Sequence, residues 1–209
     1  MEITRRIIET AKQLFVKHGV RTITMNDIAA EAGVSKKTLY EHFLNKEDLL
    51  GKTLDSMHEE GKAEREIIFE NGRFNIDSML EIIRLSALRI NEINPNFITD
   101  IKKYHPRIWK DKLKKMENDT IQFKARLIKE GIKQGYFRSD INIDIASKLL
   151  HEQINILMDN EIFPSNSYSR TEVFQTIMNI FGRGVIKENF QKELNKINKH
   201  KSNDSTNIM

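Results

Sequence analysis

The side chains best able to do chemistry in this sequence are concentrated between residues 36 and 46. Ammonium groups attract phosphates, and hydroxyl and imidazole groups can hydrogen-bond phosphate oxygens or base edges. A surface of this composition suits nucleic acid, and the alternative is an ordinary solvated face on a small helical hairpin. The residues are Lys36, Lys37, Thr38, Tyr40, His42 and Lys46.

Two short helices joined by a tight turn are predicted to position these side chains. Thr24 can cap the first helix, and Gly33 can end it because glycine adopts the left-handed conformation that closes a helix. Ser35 can cap the second helix, whose buried stripe would carry Leu39 and Phe43. The pattern indicates a helix-turn-helix, the motif that places its second helix in the major groove of DNA.

The string Ala-Gly-Val-Ser-Lys-Lys-Thr-Leu-Tyr-Glu-His-Phe, followed by Asn-Lys-Glu-Asp-Leu-Leu, closely resembles the amino-terminal domain of tetracycline-repressor (TetR) family regulators. The specific likeness covers about residues 7 to 50, and beyond it only the layout is similar. The resemblance implies that Tyr40 packs on the DNA backbone and that His42 and Lys46 contact phosphates. We expect base contacts from Lys36, Lys37 and Thr38. The predicted DNA-binding set is Thr24, Lys36, Lys37, Thr38, Tyr40, His42 and Lys46.

Composition and charge are those of an ordinary globular protein. The 209 residues carry a net charge of +4, while the first 50 have eight Lys/Arg and seven Asp/Glu, a net of +1. The DNA interpretation therefore rests on where the charges lie. There is no cysteine, which excludes disulfides and thiolate metal sites. No signal-peptide pattern and no apolar run of about 18 residues is present, so we expect a cytoplasmic protein.

Apolar spacing near 3.6 residues predicts an all-α fold with about nine helices, three of them in a DNA-binding head. Asn94-Pro95 predicts the start of a short helix. A capping box at Ser169 to Glu172 predicts the start of a last helix that runs to about Ile197. The predicted domains are a helix-turn-helix domain at 1–45, a linking helix at 46–70, a ligand-binding and dimerisation domain at 71–198, and a disordered tail at 199–209.

The resemblance implies that the body dimerises through its last two helices, predicted at 142–159 and 169–197. Their apolar residues exceed what one buried face needs, and Gly182 and Gly184 suggest close helix approach; the alternative is an intramolecular core. The middle helices carry a predicted ligand pocket for a moderately apolar molecule with a polar group, although each residue could be plain core. The pocket set is Tyr104, Trp109, Met116, Phe123, His151 and Met158.

Two patterns resemble metal sites but are incomplete. His151-Glu152-Gln-Ile-Asn155 lacks the second imidazole of the zinc-protease pattern, and Asp55-x-x-His58 is half of a di-iron pattern. We therefore expect no metal, no cofactor and no enzymatic activity. The sequence predicts a ligand-responsive repressor that binds a palindromic DNA operator as a homodimer and is released by a small molecule. The alternative is an all-helical ligand-binding or interaction module without DNA binding, which the chemistry of residues 36 to 46 disfavours.

Overall fold

The computed structural model describes residues 2–70 and 75–188, and within these ranges it confirms an all-α fold of nine helices. α7 is continuous and contains a π-helical turn at Trp109–Leu113 between Pro106–Ile108 and Lys114–Lys133. Among the described residues, none of the helices is both long and apolar enough to cross a membrane. The other helices are α1 Glu2–His18, α2 Met25–Glu31, α3 Lys36–His42, α4 Lys46–Glu70, α5 Ile76–Glu92, α6 Phe97–Tyr104, α8 Ile143–Leu157 and α9 Arg170–Val185.

The helix-turn-helix is built from the capping residues that the sequence predicts. Thr24 Oγ1 accepts a hydrogen bond from the backbone N–H of Asp27 at 3.2 Å, and the Asp27 carboxylate accepts one from the N–H of Thr24 at 2.8 Å. Ser35 Oγ accepts from the N–H of Thr38 at 3.0 Å. Gly33, with a φ of 65°, makes the turn between the two helices. These bonds satisfy backbone donors that a helix start otherwise leaves open.

The core of the head is completed by residues from beyond α4. Ile7, Phe15 and Leu39 form one hydrophobic cluster, and buried Phe97 and Ile101 of α6 belong to it. The predicted domain boundary places both residues in the body. The head core therefore depends on chain that lies on the far side of the predicted 71–198 boundary.

Hydrogen bonds reinforce the contact between α6 and the head. The buried carboxylate of Asp100 accepts the backbone N–H of Arg21 at 2.8 Å. The N–H of Asn94 donates to the carbonyl oxygen of Val16 at 2.7 Å. The turn that follows α1 is thus fixed by the segment leading into α6 and by α6 itself.

The body packs around two further hydrophobic clusters. One joins α5, α8 and α9 through Ile90, Leu157 and Phe174. The other joins α7, α8 and α9 through Ile128, Ala146 and Val185, with the buried ring of Phe137 in the α7–α8 turn. Two layers of helix contacts therefore fix α8 between α7 and α9.

The structure corrects the predicted end of the last helix. α9 ends at Val185, and Ile186 is extended with a ψ of 138°. Val185 O accepts the N–H of Arg138 at 2.9 Å, and the N–H of Lys187 donates to Tyr136 O at 3.0 Å, so the backbone pairs with the α7–α8 turn. Residues 189–198 and the predicted tail 199–209 lie outside the described residues.

The start of α9 is as predicted, because Ser169 is its N-cap residue and the helix begins at Arg170. The Ser169 side chain makes no capping hydrogen bond, so the predicted capping box is wrong. The predicted start of α6 is corrected. α6 begins at Phe97 instead of after Asn94, because the Asn94 side chain accepts the N–H of Asn96 at 2.9 Å and holds a turn there.

Candidate nucleic-acid interface

α3 presents a polar surface on a helix that is held firmly from behind. Leu39 is fully buried in the head core, while Lys36, Lys37 and Tyr40 are exposed. Thr38 is only partly exposed, and its hydroxyl lies 2.9 Å from Ser35 Oγ. The arrangement offers two ammonium groups and an exposed phenol from one rigid helix, which suits contact with phosphates and base edges.

His42 links the end of α3 to the start of α1. Its Nδ1 lies 3.0 Å from Thr4 Oγ1, and the ring is partly buried beside Phe43. Within the described chain no hydrogen bond involves Nε2, so this nitrogen is the one that could reach a phosphate. The contact with Thr4 fixes the ring, which lowers the entropy lost on binding.

Lys46 stands at the first position of α4, as predicted, but its side chain is half-buried. Asn45 caps this helix by accepting the N–H of Asp48 at 2.9 Å. Lys46 Nζ lies 6.0 Å from the ring centre of Phe15. Burial lowers the pKa of Lys46, and the nearby carboxylates of Asp100 and Asp27 act in the opposite direction. The ammonium therefore already has anionic neighbours within the protein.

Thr24 is exposed, and its hydroxyl donates to the Asp27 carboxylate at 2.7 Å. This hydrogen bond lowers the pKa of Asp27. In this conformation the Thr24 hydroxyl serves the helix cap, so a contact with DNA would have to share that oxygen or use the exposed backbone around it.

The head matches the family model of bacterial regulatory proteins, tetR family, over residues 7–53. Over most of its length the chain is similar to an uncharacterised HTH-type transcriptional regulator, YvaF of Bacillus subtilis, with 26% identity across 87% of this chain and 94% of that protein. The chain belongs to the TetR family of transcriptional regulators. The HTH-type transcriptional repressor KstR2 of Rhodococcus jostii is 27% identical over 70% of this TetR-family chain and 73% of that protein.

Solved structures agree with this TetR-family fold. A regulatory protein TetR from Rhodobacter sphaeroides superposes with a TM-score of 0.73 and 12% identity, covering 89% of this chain and all of that one. SmeT of Stenotrophomonas maltophilia, in complex with triclosan, has a TM-score of 0.69 and 16% identity, covering 90% and 93%. Both similarities show the fold alone. The sequence relatives are transcriptional regulators and not enzymes, in agreement with the expectation from sequence.

The six residues predicted to line a ligand pocket lie in different parts of the TetR-family fold. Trp109 and Met116 pack at the edge of the head core, and Met158 packs in the cluster around Leu157. Tyr104 is exposed, with the Arg21 guanidinium carbon 5.3 Å from its ring centre. The structure therefore does not bring all six side chains to one place.

The remaining two pocket residues lie on α7 and α8. The rings of Phe123 and Phe69 meet edge to face with centres 5.8 Å apart, which joins α7 to α4. His151 is buried, and its Nδ1 lies 3.2 Å from Lys124 Nζ. Burial lowers the pKa of Lys124 to about 8. It also lowers the pKa of His151, and the adjacent ammonium adds to that effect.

Lys124 is a residue that the sequence reasoning missed. Lys124 is three residues from Ile121 and Leu127 and four residues from Thr120 and Ile128, so it shares one face of the helix with them. A lysine inside an apolar stripe is a readable signal of a buried cation. Its partner on another helix is not readable in this way, because the contact depends on how α7 and α8 pack.

A surface groove of about 440 Å³ opens between the start of α4 and the π-helical turn of α7. Its walls are mostly charged or polar, and none of the six predicted pocket residues is among them. The lining residues are Asn45, Glu47, Asp48, Gly51, Lys52, Asp55, Ile108 and Lys112.

Proposed function

We propose that this TetR-family regulator is a repressor that binds a two-fold DNA operator as a homodimer and leaves it when a small molecule binds the body. Three features support this proposal: the polar surface of α3, unpaired apolar side chains on α8 and α9, and the physical connection between body and head. KstR2 of Rhodococcus jostii is a transcriptional repressor, and SmeT, which shares this fold, is a repressor whose structure was solved in complex with triclosan.

The observation that carries the DNA-binding proposal is the exposed set on α3. Lys36 and Lys37 stand in the first turn of the helix, where recognition helices contact base edges in the major groove. Buried Leu39 and the Ser35 cap fix the orientation of α3 before DNA arrives. A preformed surface loses little conformational entropy on binding.

Exposed apolar side chains on the last two helices support a dimer. Ile145 is 54% exposed and Leu149 is 56% exposed, and Ile156 lies on the same face of α8. Ile180 on α9 is 63% exposed. Exposed apolar side chains repeated along one helix face are typical of an interface, and a four-helix contact between two copies would bury them.

Gly184 supports the same arrangement. A Cβ atom added there would meet nothing within 4 Å in the single chain, although glycine inside a helix costs up to about 1 kcal/mol relative to alanine. No described contact within the chain therefore requires glycine, and close approach by a second copy would explain it.

Two routes connect the body to the head. α4 continues from the head into the body and contacts α7 through Phe69 and Phe123. α6 packs in the head core and bonds to Arg21 through Asp100. A ligand can release the operator only if it binds the released conformation more tightly than the DNA-bound one, and either route could transmit that preference.

The test is selection of bound fragments from genomic DNA, followed by fluorescence anisotropy on the selected duplex. We expect a roughly palindromic site with half-site centres about 34–36 Å apart or more. Lys37→Ala should weaken operator binding by about 1–3 kcal/mol and relax base preference at defined positions. Lys129→Ala, which removes an exposed lysine of α7, is the matched control and should leave operator affinity unchanged.

Equal weakening on operator and on random DNA would make Lys37 a phosphate contact instead of a base contact. Failure to retain any genomic fragment would favour the alternative, an all-helical ligand-binding or interaction module without DNA binding.

A further inference from the structure

A cluster of possible metal ligands lies between α7 and α8, away from the DNA-facing surface. Glu117 on α7 and His151 and Glu152 on α8 bring one imidazole nitrogen and two carboxylate oxygens within 4.8 Å of one another. His151 is 7% exposed, whereas Glu117 and Glu152 reach solvent. The cluster therefore has one buried nitrogen donor and two adjustable oxygen donors.

The buried imidazole has a nitrogen without a hydrogen bond. His151 Nδ1 contacts Lys124 Nζ, while Nε2 makes no hydrogen bond to any residue that the structure describes. The nearest carboxylate oxygen, Glu117 Oε1, is 3.8 Å away from Nε2, which is too far for one. Nε2 is unpaired but not sealed from solvent, so an ion can reach it from the surface beside Glu117.

We propose that Glu117, His151 and Glu152 bind a divalent first-row transition metal ion such as Zn²⁺. Imidazole nitrogen and carboxylate oxygen are ordinary zinc ligands, with bonds of about 2.0–2.2 Å. Donor atoms around a tetrahedral zinc ion then lie about 3.4 Å apart. Rotation of two solvent-reaching glutamate side chains can close the remaining gap, and water would complete the coordination.

Charge favours a cation over an anion at this place. Two carboxylates face the imidazole, and an anionic ligand would be repelled by both. Lys124 is the cation that contacts the imidazole, and within the described chain it forms no salt bridge. When a metal ion binds Nε2, the neutral imidazole carries its proton on Nδ1, which then cannot accept a hydrogen bond from the Lys124 ammonium. Lys124 must therefore turn away, and this requirement weakens metal binding.

The sequence pattern alone does not indicate this site. His151-Glu152 lacks the second imidazole of the zinc-protease pattern, because Asn155 stands in its place. In the folded chain Glu117, from a different helix, supplies the third donor. The proposal goes beyond DNA recognition, and all three ligands come from one chain, so no residue of a second copy is needed.

The test is isothermal titration of the full, untagged chain with Zn²⁺, with native mass spectrometry to count bound ions. We expect one ion per chain. Glu117→Gln preserves the shape and removes the charge, and it should weaken Zn²⁺ binding by at least about 10- to 100-fold, the loss that follows even removal of an outer-shell partner. Lys124→Met should strengthen binding, because it removes the competing ammonium.

His58→Gln is the matched control. His58 is also a partly buried histidine beside a carboxylate, with Nε2 2.9 Å from Asp119 Oδ2, but it is not part of the cluster. Its substitution should leave Zn²⁺ affinity unchanged. Circular dichroism of each metal-free variant shows whether it is folded. Glu152→Gln tests a second proposed ligand at an exposed position, where the substitution should not disturb folding.

The proposal is overturned if the wild-type chain binds no Zn²⁺. It is overturned equally if Glu117→Gln and Glu152→Gln bind Zn²⁺ as tightly as wild type, because the ion would then lie elsewhere. Operator selection is independent of either outcome.

Discussion

Replacing Asp100 with alanine should destabilise the head although the residue lies on α6. The carboxylate is buried and accepts the backbone N–H of Arg21 at 2.8 Å. Asp100→Ala removes a hydrogen bond to a charged acceptor and leaves the N–H of Arg21 without a protein partner. Bonds of this type contribute about 1.5–3 kcal/mol.

The expected loss can be read as a melting temperature. For a chain of roughly 150–250 residues, 1 kcal/mol corresponds to about 2–4 °C, so Asp100→Ala should melt about 3–12 °C below wild type. Circular dichroism at several protein concentrations measures this shift and separates it from any effect of dimer dissociation.

Two further variants control the experiment. Asp100→Asn keeps an acceptor oxygen and should lose less stability than Asp100→Ala. Asp55→Ala removes an exposed carboxylate that pairs with Lys112, and it should change stability by no more than about 0.5 kcal/mol. If Asp100→Ala and Asp55→Ala have the same melting temperature, the hydrogen bond to Arg21 does not stabilise the head and the reasoning fails.

Three other substitutions test separate parts of the molecule. Gly131→Ala would press its Cβ into the buried Phe137 ring at Cδ2, so overpacking of about 1–3 kcal/mol should exceed the helix-propensity gain of up to about 1 kcal/mol. A rise in the urea midpoint would contradict this. Lys46→Ala should make the slope of log affinity against log salt shallower by about 1.8 for a dimer, and an unchanged slope in an anisotropy titration would show that Lys46 does not touch the DNA backbone. Gly184→Glu should weaken dimerisation and operator binding together, whereas a wild-type monomer at micromolar concentration in sedimentation would end the dimer proposal.

Features set by a few neighbouring residues were predictable from the sequence. Thr24 and Ser35 cap their helices through residues three positions later, and Gly33 closes a helix through its own backbone freedom. Such interactions depend on local spacing alone, so the helix-turn-helix and its exposed polar set could be read directly.

Features set by distant contacts were not predictable. α9 ends at Val185 because the backbone of Val185 and Lys187 hydrogen-bonds to the turn at Tyr136 and Arg138. Nothing in the neighbouring sequence predicts this contact. The contact of Lys124 with His151 depends in the same way on the packing of α7 against α8. The ligand pocket stays a prediction, and the sequence could not narrow it further, since hydrophobic residues on middle helices can enter any of three cores.

Because Phe97 and Ile101 pack in the head core, the DNA-binding head of this regulator cannot be transferred to another protein as residues 1–70 alone. A hybrid made by joining residues 1–70 to a foreign body would lose both side chains and the Asp100 bond, and would expose the apolar surface they cover. Burial of a large aliphatic or aromatic side chain contributes about 1.5–3 kcal/mol, so the two losses approach the whole stability of a small domain. A portable DNA-reading unit for this protein must therefore carry α6 with it, or receive a body whose own α6 has been fitted to the turn after α1.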